Sequence, residues 1–107
     1  MGNTKEGAMI KVIIERHAKD EESLPPLLRE LRAAAMHQPG YVTGETLVST
    51  EDKSIVAVIS TWRSLEDWET WETSETRAKL YQQIEPLLAE KPKARTYQIM
   101  ATEEKMG

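Results

Sequence analysis

Residues 41–62 read YVTGETLVST EDK SIVAVISTW. Tyr41–Thr50 and Ser54–Trp62 carry β-branched and aromatic residues at strand density, and Glu51-Asp52-Lys53 is a short polar connection between them. The pattern predicts an antiparallel hairpin. In its second strand Ile55, Ala57, Ile59 and Thr61 alternate with Val56, Val58, Ser60 and Trp62. Successive side chains of a strand point to opposite faces. Apolar residues in both sets therefore ask for cover on both sides, helices on one and something else on the other.

Downstream, Ser64 with Asp67 three residues later is a helix N-terminus signature. Leu65, Trp68 and Trp71 make its inner stripe. Ser74 opens a second helix over Glu75–Leu88, with Ala78, Tyr81, Ile84 and Leu88 inward and Pro86 forcing a kink or stop. Ala94–Ala101 is a last strand. Upstream, Pro39-Gly40 ends a helix expected over Asp20–His37. Ser23 is its N-cap, Pro25 and Pro26 occupy its first turn, and Leu24, Leu27, Leu28, Leu31 and Ala35 form its apolar stripe. Met9–Arg16 (MIKVIIER) is the first strand, with Ile10, Val12, Ile14 and Arg16 on one face. The order β-α-β-β-α-α-β predicts an α+β, ferredoxin-like split βαβ: an antiparallel four-stranded sheet with helices on one face. A second copy of the chain is the expected cover for the other face, giving a C2 dimer.

The chain has 107 residues, enough for one domain. The domain is expected over residues 9–101, between flexible segments at 1–8 and 102–107. With no cysteine, disulfides, thiolate metal sites and cysteine nucleophiles are excluded. A net charge of −4 argues against nucleic acid or an anionic membrane as partner. No apolar run is long enough to span a bilayer. Met1–Ala8 is polar, which gives a cytoplasmic address by default. No GxGxxG, P-loop, GxSxG or HExxH pattern is present.

Pro39-Gly40-Tyr41-Val42-Thr43-Gly44-Glu45-Thr46-Leu47 resembles the end of helix one and strand two of the antibiotic biosynthesis monooxygenase domain. Thr61-Trp62-Arg63-Ser64, with Asp67-Trp68, Trp71 and Ser74, resembles that family's segment from strand three into the following helix. The resemblance runs from about Met9 to Met100. It implies a dimeric α/β barrel, a homodimer of face-to-face sheets, with a pocket between sheet and helices in each subunit. It also implies oxygenation of a small planar aromatic, a quinol or polycyclic phenol, by O2 without a bound metal or cofactor. A non-catalytic binding module of the same fold is the alternative, and a heme binder a more remote one. Trp62 matches the tryptophan of the heme-degrading branch, but Arg16 stands where its asparagine belongs and Tyr81 where its histidine ligand belongs.

Six residues carry the expected chemistry beside Trp62. Leu28, Leu31 and Trp68 join Trp62 as substrate-binding walls. Arg16 is a guanidinium for an enolate or phenolate oxygen, against the plainer reading of a surface arginine at a strand end. His17 and Tyr81 are the candidates for proton transfer. Trp68 and Trp71 read first as staples of helix to sheet, and His37 as a helix-end cation. The acids Glu66, Asp67, Glu69, Glu72 and Glu75 read as a solvated face. Strands one and three run antiparallel, so Arg16 and Trp62 are expected at opposite ends, with a shared cavity left open.

Overall fold

The computed structural model describes residues 8–106; the segment at 1–7 and Gly107, expected to be flexible, lie outside the described residues. Four strands form one antiparallel sheet: β1 (Ile10–His17), β2 (Tyr41–Val48), β3 (Ile55–Trp62) and β4 (Lys93–Gln98), in the order β2-β3-β1-β4. Three helices, α1 (Leu24–Ala35), α2 (Leu65–Glu72) and α3 (Glu75–Ile84), accompany it. This is the ferredoxin-like split βαβ, and the helices lie over one face.

Alternation along β1 sorts its residues cleanly. Ile10, Val12, Ile14 and Arg16 are buried under the helices, while Lys11, Ile13, Glu15 and His17 face the other way. The β1–β3 register pairs Ile10 with Trp62 and Arg16 with Val56. The core between the layers joins Ile10, Val12, Ile14 and Val56 of the sheet to Leu24, Leu28, Leu31 and Ala35 of α1. Trp62 of β3, Trp68 and Trp71 of α2, Ile84 of α3, and Ala18 and Leu88 complete it.

Several local expectations change. Helix α1 is shorter than Asp20–His37 because Asp20 closes a turn ahead of it. Its carboxylate accepts the amides of Glu22 and Ser23, each at 2.9 Å. Ser23 stands at the N-cap position, but its hydroxyl donates to Asp20 at 2.9 Å instead of capping the helix. His37 lies past the helix end, with Nδ1 3.0 Å from the Ala33 carbonyl. Leu65 is 42% exposed and drops out of the α2 stripe. Helical side chains lean toward the N-terminus, so a first-turn residue hangs over the preceding loop. One position of the α3 stripe changes: Ala78 is exposed and Arg77 turns inward in its place, while Tyr81, Ile84 and Leu88 lie inward as expected. Pro86 ends α3 at Ile84 in a single 3₁₀ turn, Glu85–Leu87. Strand β4 stops at Gln98 because its partner β1 begins opposite, at Ile10.

The caps at Ser64 and Ser74 form as expected. Ser64 Oγ accepts the Asp67 amide at 3.1 Å and Ser74 Oγ the Arg77 amide at 3.2 Å. The hairpin turn is wider than three residues, held by Ser49 Oγ and by Asp52, which accepts the Ser54 hydroxyl at 2.6 Å. One irregularity breaks the alternation of β2. Between Tyr41 and Thr43, β2 spends two steps against one on β3, a β-bulge at Val42. Tyr41 therefore shares the helix-covered face with Trp62 and Gly44. Its hydroxyl lies where a Gly44 side chain would begin.

The second face of the sheet carries Ile13, Ile55, Ala57 and Ile59, all half-buried, beside exposed Leu47 and Tyr97. No described element packs over it. Among the described residues, no helix is long and apolar enough to cross a membrane.

Candidate functional site

Between sheet and helices lies a cavity of about 50 Å³. Its walls are largely apolar and aromatic. Ile14 and Val58 form the sheet side, and Leu28, Leu31 and Ala35 the α1 side. Tyr41, Trp62, Trp68 and Trp71 supply the rings. A cavity of about 150 Å³ accommodates benzene, so an aromatic ring enters this one only when a wall side chain moves.

Trp62 is 1% exposed and meets Tyr41 edge-on, with ring centroids 5.3 Å apart at 87°. Trp68 stands 5.7 Å away at 63°. The Trp62 indole N–H donates to Ser60 Oγ at 3.0 Å. Trp62 and Trp68 are thus both core and cavity wall, since the inner surface of this small domain is also the lining of its hollow.

Arg16 is not a surface arginine. It is 1% exposed and lines the same cavity as Trp62. The two stand six residues apart along the β1–β3 pair, roughly 20 Å of strand, on the same face. Arg16 Nε donates to the Tyr81 hydroxyl at 3.0 Å, and Nη2 donates to the same oxygen. Arg16 Nη1 is buried with no hydrogen-bond partner. Among the described residues, ion pairs within 4.0 Å involve only His17. A guanidinium with a buried, unmatched donor is costly to leave alone, and an anionic oxygen answers it.

Tyr81 stands behind Arg16 and not in the cavity wall. Its ring lies beneath a second arginine: Arg77 Cζ is 4.5 Å from the Tyr81 centroid and 5.4 Å from that of Trp68. Burial holds the Arg77 guanidinium below the ordinary arginine value, opposed by Tyr81 and reinforced by the nearby Arg16 charge. An arginine so shifted still carries its proton at neutral pH. The cavity therefore has two cationic groups gathered at Tyr81, with Arg32 a third in its lining.

His17 does not reach it. Residue 16 faces in, so residue 17 faces out. His17 sits on the opposite face, 4.0 Å from Asp52 and 3.8 Å from Glu90. No histidine lines the cavity. The single acidic residue at its border, Glu45, pairs in register with Ile59 of the opposite face. Among the described residues, no group of three His, Asp or Glu side chains is placed to hold a metal ion.

Arg77 and Tyr41 were absent from the residues expected at the site. Arg77 had a legible signal, since positions 77, 81 and 84 repeat at helical spacing. Tyr41 had none, because the bulge that turns it inward has no mark in composition.

A search of curated protein sequences finds no match to this chain. Solved structures do match it in shape. SnoaB, a cofactor-independent oxygenase from Streptomyces nogalater, superposes with a TM-score of 0.83 at 10% identity, covering 92% of this chain and 99% of its own. A candidate antibiotic biosynthesis monooxygenase from Nitrosomonas europaea gives 0.81 at 17% identity, with 88% and 92% covered. A conserved protein from Methanosarcina mazei Go1 gives 0.78 at 14% identity, with 88% and 95% covered. At such identities these likenesses concern the fold alone. The sequence model of the antibiotic biosynthesis monooxygenase family, however, matches residues 9–83. That match spans β1 through nearly all of α3, including every aromatic and cationic wall described above, and the chain belongs to the antibiotic biosynthesis monooxygenase family.

Proposed function

We propose that this protein is a monooxygenase that binds a small hydroxylated aromatic as its anion and oxidises it with O2, without a bound cofactor. The observation that carries this reading is Arg16: a buried guanidinium with an unpartnered donor, at the end of a cavity walled by tryptophans. The fold shared with a cofactor-independent oxygenase supports it.

The protein's part is electrostatic. The phenol loses its proton to water at the cavity mouth, since no histidine lines the wall. Arg16 holds the resulting oxyanion, and the apolar walls exclude water from it. Electron density on the ring then passes to O2, and a ring carbon joins one oxygen atom as a hydroperoxide. Loss of water from that adduct leaves a carbonyl. In the net reaction a hydroxyarene and O2 give a quinone and water. One oxygen atom stays on the ring, and the other leaves with the two hydrogens lost from carbon and oxygen. Tyr81 is a positioning residue here: its oxygen accepts from Arg16 and fixes the guanidinium plane.

The apolar second face of the sheet makes a homodimer the assembly that fits. Heme is the poorer ligand. Tyr81, the residue in the ligand position, already accepts from Arg16, and the cavity is far smaller than a macrocycle.

Oxygen uptake over a panel of hydroquinones and naphthols tests the reading. Uptake that disappears in Arg16→Gln, with folding retained, is the expected result. Ring binding with no uptake by any compound would replace it with a non-catalytic binding module.

A further inference from the structure

A second hollow adjoins the first. It is an open groove of about 340 Å³ between α1 and the far end of β2. The two share Leu28, Arg32 and Thr46. Leu28 is core and 4% exposed. The movable part of the partition is Arg32, in the last turn of α1, whose Nη1 donates to Thr46 Oγ1 at 2.7 Å across the gap to β2.

We propose that Arg32 determines the size of ligand this protein admits: its bond to Thr46 divides the inner cavity from the outer groove, and releasing it makes one continuous cleft. Three observations converge on it. The inner cavity alone is too small for a ring, while the groove alone exceeds the roughly 150 Å³ that holds one. The bond lies at the surface, where water replaces either partner, so opening it is cheap. β2 is an edge strand, held in the sheet by β3 alone. The groove also carries Arg29, Arg32 and Lys53 against Glu21, which favours an anionic ligand on approach. The identity of the ligand rests on the function proposed above; the partition does not.

The chain supplies its own probe, because all three of its tryptophans line the inner cavity. The experiment compares acrylamide quenching of tryptophan fluorescence in the full-length wild type, Arg32→Ala and Thr46→Val. The second variant removes the acceptor oxygen and leaves the guanidinium. Exposed hydrogen bonds of this class shift an open–closed ratio by about two- to tenfold, and the quenching constant rises by that factor in both variants. Binding of hydroquinone, a naphthol and an anthrol is then measured on the same three proteins. Arg32→Ala gains affinity for the three-ring anthrol relative to hydroquinone. Unchanged quenching in both variants, with native circular dichroism, overturns the proposal. So does a rise in quenching with an unchanged ranking of ring sizes. A rise in quenching with no ring bound by any of the three proteins supports the partition and overturns the aromatic-ligand reading.

Discussion

Arg16 and Tyr81 are joined by two hydrogen bonds that meet at one phenolic oxygen. Removing the Tyr81 oxygen leaves a buried guanidinium with no partner for Nε or Nη2. Tyr81→Phe is therefore expected to lower unfolding free energy by about 1–3 kcal/mol in urea titration. Arg16→Met should be neutral or stabilising, since a well-packed apolar replacement avoids the desolvation of a charge. Adding Tyr81→Phe to Arg16→Met should then cost little. A double variant as unstable as the sum of the single ones would contradict the coupling. Gly40 presents a different constraint. Its φ is +87°, and the Asp67 side chain occupies the space a Cβ needs. Gly40→Ala is expected to cost about 1–2 kcal/mol from backbone conformation alone, and Asp67→Ala should relieve only the additional contact.

The helix ends separate two kinds of serine. Ser64→Ala and Ser74→Ala each remove a side-chain acceptor from a helix amide, for an expected loss of about 1 kcal/mol. Ser23→Ala removes no such bond, so its thermal midpoint should move less. Asp20 is the group that organises the start of α1, and it brings a pH dependence. Its backbone and hydroxyl bonds to Ser23 hold its carboxyl below the ordinary 3.8. A carboxyl lowered on folding stabilises fully above its unfolded value and loses that contribution as pH falls through the folded one. The stability gap between the wild type and Asp20→Asn should therefore be constant above about pH 5 and close below 3.8. These elements also mark what the sequence could reveal. Strand identity, the two serine caps and the stop at Pro86 follow from local chemistry and are visible in the residues. Arg77 is legible only in its spacing with Tyr81 and Ile84; its burial is not, because a charged residue at a stripe edge reads as solvated until the rings of Tyr81 and Trp68 lie under it. Arg16 is legible as to face and illegible as to depth. Alternation puts it inside, but only the packing of α3 across the end of β1 seals it there.

At the scale of the whole molecule, the sheet's second face is the surface on which the proposed homodimer rests. Ile13, Ile55, Ala57 and Ile59 gather at its centre, with Lys11, Glu15, Lys93 and Arg95 around them. Equilibrium sedimentation is expected to give a dimer, and Ile59→Glu a monomer that keeps its circular dichroism; a monomeric wild type at micromolar concentration would remove the second copy from the account. The bulge at Val42 has a consequence of another kind. It is a phase slip of one residue, and everything in β2 ahead of it is counted on the opposite parity from everything behind. Excising Val42 would restore even counting, rotate Tyr41 out to the far side of the sheet and leave the Trp62 indole without its perpendicular neighbour. The chamber's roof thus depends on the presence of one surplus residue more than on that residue's chemistry, so at this position the protein should accept exchange of the side chain far more readily than a change in length.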